Sequence, residues 1–243
     1  MNAYEEQAAR ELRKWQQEMQ GPPSFTGKVS KNIQDRVNRI IPEKVHNAIT
    51  ASIKQMTRAV FYGAGYTNPQ PLQNASLRVR EHRAKGRIRF YRNTAAAEGA
   101  VTGAGGLLLG LADFPIWLAL KMKLLFEIAA LYGYDVSDYR ERLYILHIFQ
   151  LTFSSQEQRK KVYASMENWE NYLQALPADM SAYDWRSFQQ EYRDYIDIAK
   201  LIQLIPGIGA VAGAYVNHRL TDKLGINAMN AYRLRRAIGK ALS

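Results

Sequence analysis

The chain has 243 residues, 47% of them hydrophobic, which suits one domain with a substantial core and excludes a disordered chain. It has no cysteine, which excludes disulfides and thiol chemistry and fits a reducing cytosolic setting. The net charge of +11 is uneven: residues 1–94 hold 17 Lys/Arg against 7 Asp/Glu, residues 95–200 hold 10 against 14, and residues 201–243 hold 6 against 1. Basic ends of this kind either seek phosphate, on nucleic acid or anionic lipid, or simply keep a surface solvated.

No apolar run follows Met1–Glu6, so no secretory signal is expected. Residues 3–20 read as a polar helix with Ala8, Leu12, Trp15 and Met19 on one stripe, closed by Gly21-Pro22-Pro23. From Lys28, the residues Val29, Ile33, Val37 and Ile40 recur at helical spacing until Pro42. A second basic amphipathic helix then places Val45, Ile49, Ile53, Met56 and Val60 on one face. Lys44, Lys54 and Arg58 fall on the others. Helices of this type either face a core and water or lie on lipid. Gly63-Ala64-Gly65 stops the second one, and Tyr66 to Asn74 reads as a loop.

The most basic segment follows: Arg78, Arg80, Arg83, Lys85, Arg87, Arg89 and Arg92, with Glu81 its one acid. These seven cations are the candidate lipid- or anion-binding residues. The segment runs straight into Gly99–Ala112, an uncharged stretch in which Gly99, Gly103, Gly106 and Gly110 form two small-xxx-small pairs. A glycine costs about 1 kcal/mol against alanine inside a helix, so such glycines are expected where another backbone comes close. A second stretch, Leu201–Val216, carries Gly209 and Gly213. The two stretches are expected to form a central pair of glycine-rich apolar helices.

Asp113-Phe114-Pro115 suits a helix N-cap with proline in the first turn. The helix after it carries Trp117, Leu120, Leu124 and Ile128 and ends at Gly133. The next helix starts near Asp138 and buries Leu143, Leu146 and Phe149, with His147 among them. Ser154–Glu157 caps a helix running from Gln158 to about Leu176, which carries Val162, Met166, Trp169 and Leu173. Trp185, Phe188, Tyr192 and Tyr195 share the face of another. The tail from Asn217 is helical and basic, with Leu224, Ala228, Ala231, Leu234 and Ile238 inward. Strand alternation appears nowhere, so the expected fold is all-α. It is a single multi-helix domain over residues 1–243: a polar helix to residue 20, basic amphipathic helices over 28–94, and glycine-rich helices with the helical core over 95–243.

A spanning helix needs about 20 apolar residues. The uncharged stretch between Glu98 and Asp113 has 14 residues and Leu201–Val216 has 16, with Pro206 inside it. Arg92, Lys121 and Lys123 flank the first, and Lys200, Arg219 and Lys223 the second. Basic residues on both sides disfavour a clean span. A buried soluble hairpin and a re-entrant or interfacial hairpin both remain open.

Chemistry-bearing motifs are sparse. His46, His82, His147 and His218 have no metal-ligand spacing, and no GxSxG or Walker A motif is present, so neither metal nor cofactor is expected. Gly207-Ile208-Gly209 is followed by Gly213, one position too late for a dinucleotide loop. Glu98 and Asp113 are the candidate buried acids. Glu98 is either paired with an arginine of residues 78–92 or a solvated helix residue, the second being favoured. Asp113 is read as a cap rather than as a functional acid.

Four blocks together resemble one family: Ile41-Pro42-Glu43-Lys44; Glu98 to Gly110; Ala112-Asp113 before an apolar helix; and Ile205-Pro206-Gly207-Ile208-Gly209 with Gly213 to Tyr215. The chain resembles the EcsC family over its full length. The resemblance implies a product encoded beside an ABC transporter linked with protein secretion, competence and regulated intramembrane proteolysis. It carries no catalytic residue over. The expected function is therefore a non-enzymatic accessory protein at the cytoplasmic face of the membrane, peripheral or shallowly inserted. Its expected partners are an anionic membrane surface and an ABC transporter. The alternatives are a hydrolase or lipid-modifying enzyme using Glu98 or Asp113, and a nucleic-acid binder. The last is not favoured, because Phe90 and Tyr91 end the arginine run without a recognised module around it.

Overall fold

A reciprocal capping box opens the chain: the Asn2 side chain accepts from the Glu5 backbone N–H, and the Glu5 carboxylate accepts from the Asn2 N–H. It starts α1 (Ala3–Gln20), whose stripe of Ala8, Leu12, Trp15 and Met19 is buried as the spacing predicts. The computed structural model describes residues 2–21, 43–63, 65–66, 68–102, 106–196 and 210–236. The predicted helix from Lys28 to Ile40 lies outside them. So do Gly103, Gly209 and most of the second glycine stretch.

The chain continues through α2 (Glu43–Tyr62), α3 (Leu77–Thr102), α4 (Gly106–Tyr132), α5 (Tyr139–Phe153) and α6 (Gln156–Glu167). It ends with α7 (Trp169–Ala175), a 3₁₀ turn at Met180–Ala182, α8 (Trp185–Tyr195) and α9 (Ala210–Arg235). Among the described residues there is no strand, only an isolated bridge between Ser154 and Ile196. The all-α expectation holds.

The centre of the molecule is α5. Fourteen of its fifteen residues are buried, so it shows no amphipathic period at all. Asp138 caps its first turn through Arg140 N–H. Around it pack α2, which buries Val45, Ile49, Ile53, Met56 and Val60, together with α4, α6 and α9. Trp169 of α7 and Tyr192 of α8 close the core.

Two sequence expectations change and a third is not confirmed. First, Asp113 is not an N-cap. α4 starts at Gly106 and passes through Pro115, so Asp113 sits half-buried inside a helix that had already begun. Second, Asn168 divides the expected helix from Gln158 to Leu176 into α6 and α7. Its backbone sits at φ −103°, ψ 34°, and its side-chain amide donates to Ala164 O. Third, the expected central pair of glycine-rich helices is not confirmed, since much of both stretches lies outside the described residues. The first glycine stretch is shared between the end of α3 and the start of α4, and α9 is one helix from Ala210 into the basic tail. Gly99, Gly106, Gly110 and Gly213 lie on these helices, but their side-chain surroundings are outside the description.

A close helix contact lies between α3 and α9. A Cβ on Gly225 would stand 2.4 Å from Cγ1 of Ile88, so only glycine lets the two backbones approach this far.

Candidate anion-binding groove

Helix α3 divides the basic segment into two populations. Leu77, Ala84, Ile88 and Tyr91 are buried at helical spacing, and they carry neighbouring charges inward with them. Arg80 is 5% exposed. Its guanidinium donates to the carbonyls of Leu72, Ala75 and Leu131, so it caps the last turn of α4. Gly133, at φ +95°, makes room for it at the helix end. Burial lowers the proton affinity of this arginine.

Glu81 is fully buried and grips Arg233 of α9 through two parallel bonds of 2.7 Å each. Tyr4 Oη donates to the same carboxylate at 2.7 Å and Tyr132 Oη at 3.1 Å. Arg233 also reaches Asn230 and Glu11. One carboxylate thus ties α1, α3, α4 and α9 together. Burial opposes the charge on Arg233, but the bonds to Glu81 and its negative charge more than compensate, so the guanidinium is held charged. Arg87 pairs with Glu127 of α4, which Tyr91 Oη also contacts, and Arg92 reaches Asp222 at 3.4 Å.

The remaining cations point outward. Arg78, Arg83, Lys85 and Arg89 are exposed, and none forms an ion pair among the described residues. Val79 and Phe90 stand exposed among them.

Between α1, α3 and α9 lies a groove of about 540 Å³. Its floor is apolar: Trp15, Ile88 and Met229 are buried there, and Ile226 stands at the edge, 48% exposed. Its rim is charged, with Lys14, Lys85 and Arg89 on one side of the ledger and Glu18 on the other. Arg92 with Asp222, and Arg233 with Glu11, line it as pairs. The groove is therefore a concave, amphipathic surface of net positive charge, suited to holding an anion.

The structure accordingly brings Lys85, Arg89 and Arg92 to one groove, leaves Arg78 and Arg83 on the open face of α3, and turns Arg80 and Arg87 to internal partners. Glu98 lies on α3, with its side chain outside the description. Lys14, Glu81, Asp222 and Arg233 were not singled out from sequence. Glu81 carried a usable signal as the lone acid in a basic run. Lys14 carried none, because it reaches the groove only through the docking of α1.

A second buried ionic cluster braces the same C-terminal end of α9, on a different face. Glu141 accepts from Tyr232 Oη and pairs with Arg235, whose guanidinium lies between the rings of Tyr134 and Tyr144, 4.1 and 4.5 Å from their centroids. No trio of His, Asp or Glu poised for a metal occurs among the described residues. No described helix is long and apolar enough to cross a membrane.

These features define an all-helical protein with a cationic groove and ionic ties across its core. The sequence matches the model of the EcsC protein family over residues 6–237. It is 42% identical to Protein EcsC of Bacillus subtilis (strain 168) over 226 residues, covering 93% of each chain. It is 25% identical to the uncharacterized protein YdbA of the same organism over 252 residues, covering 96% of this chain and 92% of that one. No solved structure matches it. The chain belongs to the EcsC protein family.

Proposed function

We propose that this protein is a non-enzymatic accessory protein that docks on the cytoplasmic face of a membrane through the outer face of α3. The observation that carries the reading is the exposed set Arg78, Arg83, Lys85 and Arg89, free of ion pairs among the described residues and interspersed with exposed Val79 and Phe90. Cations near an anionic leaflet contribute about 1 kcal/mol each, so four supply roughly 4 kcal/mol, enough for reversible surface binding. Apolar side chains among them suit the headgroup boundary. The absence of cysteine is compatible with the cytoplasmic side. On the strength of the family resemblance, the partner this reading names is an ABC transporter.

The test is sedimentation of the full chain with vesicles. Binding to phosphatidylserine-containing vesicles is expected to exceed binding to phosphatidylcholine vesicles and to fall as salt rises, because surface charges are screened over about 8 Å at physiological ionic strength. Equal binding to both vesicle types at all salt concentrations would refute the reading.

A further inference from the structure

We propose that the groove between α1, α3 and α9 is a discrete site for one anionic amphiphile, a phosphate monoester carried on an alkyl chain. This goes beyond surface docking, because it assigns a bounded pocket to a single molecule.

Three observations carry it. The groove's volume of about 540 Å³ falls within the range of small-molecule sites. Its polarity is segregated: Lys14, Lys85 and Arg89 stand at the rim against Glu18, with Glu11 and Asp222 already paired to Arg233 and Arg92, while Trp15, Ile88 and Met229 form an apolar floor. A compact anion carrying a tail satisfies both regions, whereas a bare anion leaves the floor unused and a neutral lipid leaves the rim unused. Two groups in the groove also lack what the fold supplies to their neighbours. The Nε of Arg92 is buried without a hydrogen-bond partner within the described protein, a state that buried donors rarely keep. Ile226 is an isoleucine half exposed at the groove's edge, where it would cover an alkyl chain.

The back wall is fixed. Glu81 and Glu11 hold Arg233, and Gly225 lets α9 nest on Ile88, so the floor is set by core contacts. A site formed this way exists before its ligand arrives, which limits the ordering cost of binding.

Isothermal titration calorimetry of the full chain tests this, with octyl phosphate below its micellar concentration as the probe. Inorganic phosphate, octyl glucoside and phosphatidylserine-containing vesicles serve as comparisons. Octyl phosphate should bind at least tenfold more tightly than either inorganic phosphate or octyl glucoside. The Ile226→Trp variant, which fills the groove without changing charge, should lose at least tenfold in affinity. The Lys14→Gln/Arg89→Gln variant should lose as much. All three substitutions are at exposed positions, and thermal melting confirms folding. Octyl phosphate binding no tighter than inorganic phosphate, or unmoved by both variants, would overturn the proposal. Vesicle binding without octyl phosphate binding would remove the groove site and leave surface docking standing. Octyl phosphate binding without vesicle binding would keep the groove as a site for a soluble ester and remove the membrane reading.

Discussion

The inner and outer faces of α3 carry charges drawn from one uninterrupted basic run, yet the two faces do different work. On the inner face Arg80 caps a neighbouring helix, Glu81 anchors Arg233, and Arg87 holds Glu127. On the outer face Arg78, Arg83, Lys85 and Arg89 form no ion pair among the described residues, and Lys85 only lies over the Tyr4 ring at 5.9 Å from its centroid. A charge count over residues 78–92 cannot separate these roles. Position around the helix can, because a side chain turned into the core must find a partner there or unfold it.

The largest effect should come from breaking the inner face. Glu81→Ala strands the buried Arg233 without its main counter-charge and deprives Tyr4 and Tyr132 of an acceptor. A loss of about 3–5 kcal/mol in urea denaturation is expected. A loss below about 1 kcal/mol would mean that the tie is ornamental.

Next comes the α3–α9 contact. Gly225→Ala raises helix propensity by about 1 kcal/mol but drives a methyl into Ile88, and a net destabilisation of about 1–3 kcal/mol is expected. Introducing Gly225→Ala into an Ile88→Ala background should be neutral or stabilising. If the penalty persists there, the close approach to Ile88 is not its cause.

A third prediction uses a buried titratable group that, unlike Glu81, has no ionic partner. His147 is 6% exposed and ringed by Trp169, Tyr172 and Phe188, and its Nδ1–H donates to Leu143 O. Burial lowers its proton affinity, against weaker support from that carbonyl and from Glu191. Its folded-state pKa therefore lies below the unfolded value of about 6.5. The unfolded chain takes up the proton first, so stability present above pH 6.5 is lost as pH falls, at up to about 1.4 kcal/mol per unit. The check is unfolding free energy between pH 7.5 and 5.5. His147→Gln should flatten the slope. It leaves Glu141 in place, whose carboxyl burial pushes up, so the difference between the two curves belongs to His147. Identical slopes would contradict the assignment.

The smallest effect on stability should come from the outer face. Arg83→Gln, Lys85→Gln and Arg89→Gln together should change unfolding free energy by less than about 0.5 kcal/mol per site.

Much of this organisation was legible in the sequence. Ala8, Leu12, Trp15 and Met19, and the stripe from Val45 to Val60, are buried as their spacing predicts. Amphipathic period works where one face meets water. It fails for α5, whose burial on all sides erases the period, so the true centre of the fold was not visible. The uncharged glycine stretches drew attention instead, because local composition cannot show which glycine meets another helix. Gly225 lies in a polar segment with nothing to mark it, and only the tertiary approach of Ile88 gives it meaning. Asp113 looked like a cap because Asp-Phe-Pro is a good start signal, but the helix had already begun at Gly106. The candidate groove was half legible: α3 supplied Lys85, Arg89 and Arg92, while Lys14 and Ile226 joined only through long-range docking.

The most direct test of the division between the two faces is vesicle sedimentation of the Arg83→Gln/Lys85→Gln/Arg89→Gln variant beside the parent, at low salt with phosphatidylserine-containing vesicles. The account predicts a variant that melts as the parent does yet sediments markedly less. A variant that melts as the parent does and sediments equally would contradict the account, showing that the outer cations of α3 do not dock the protein on an anionic membrane.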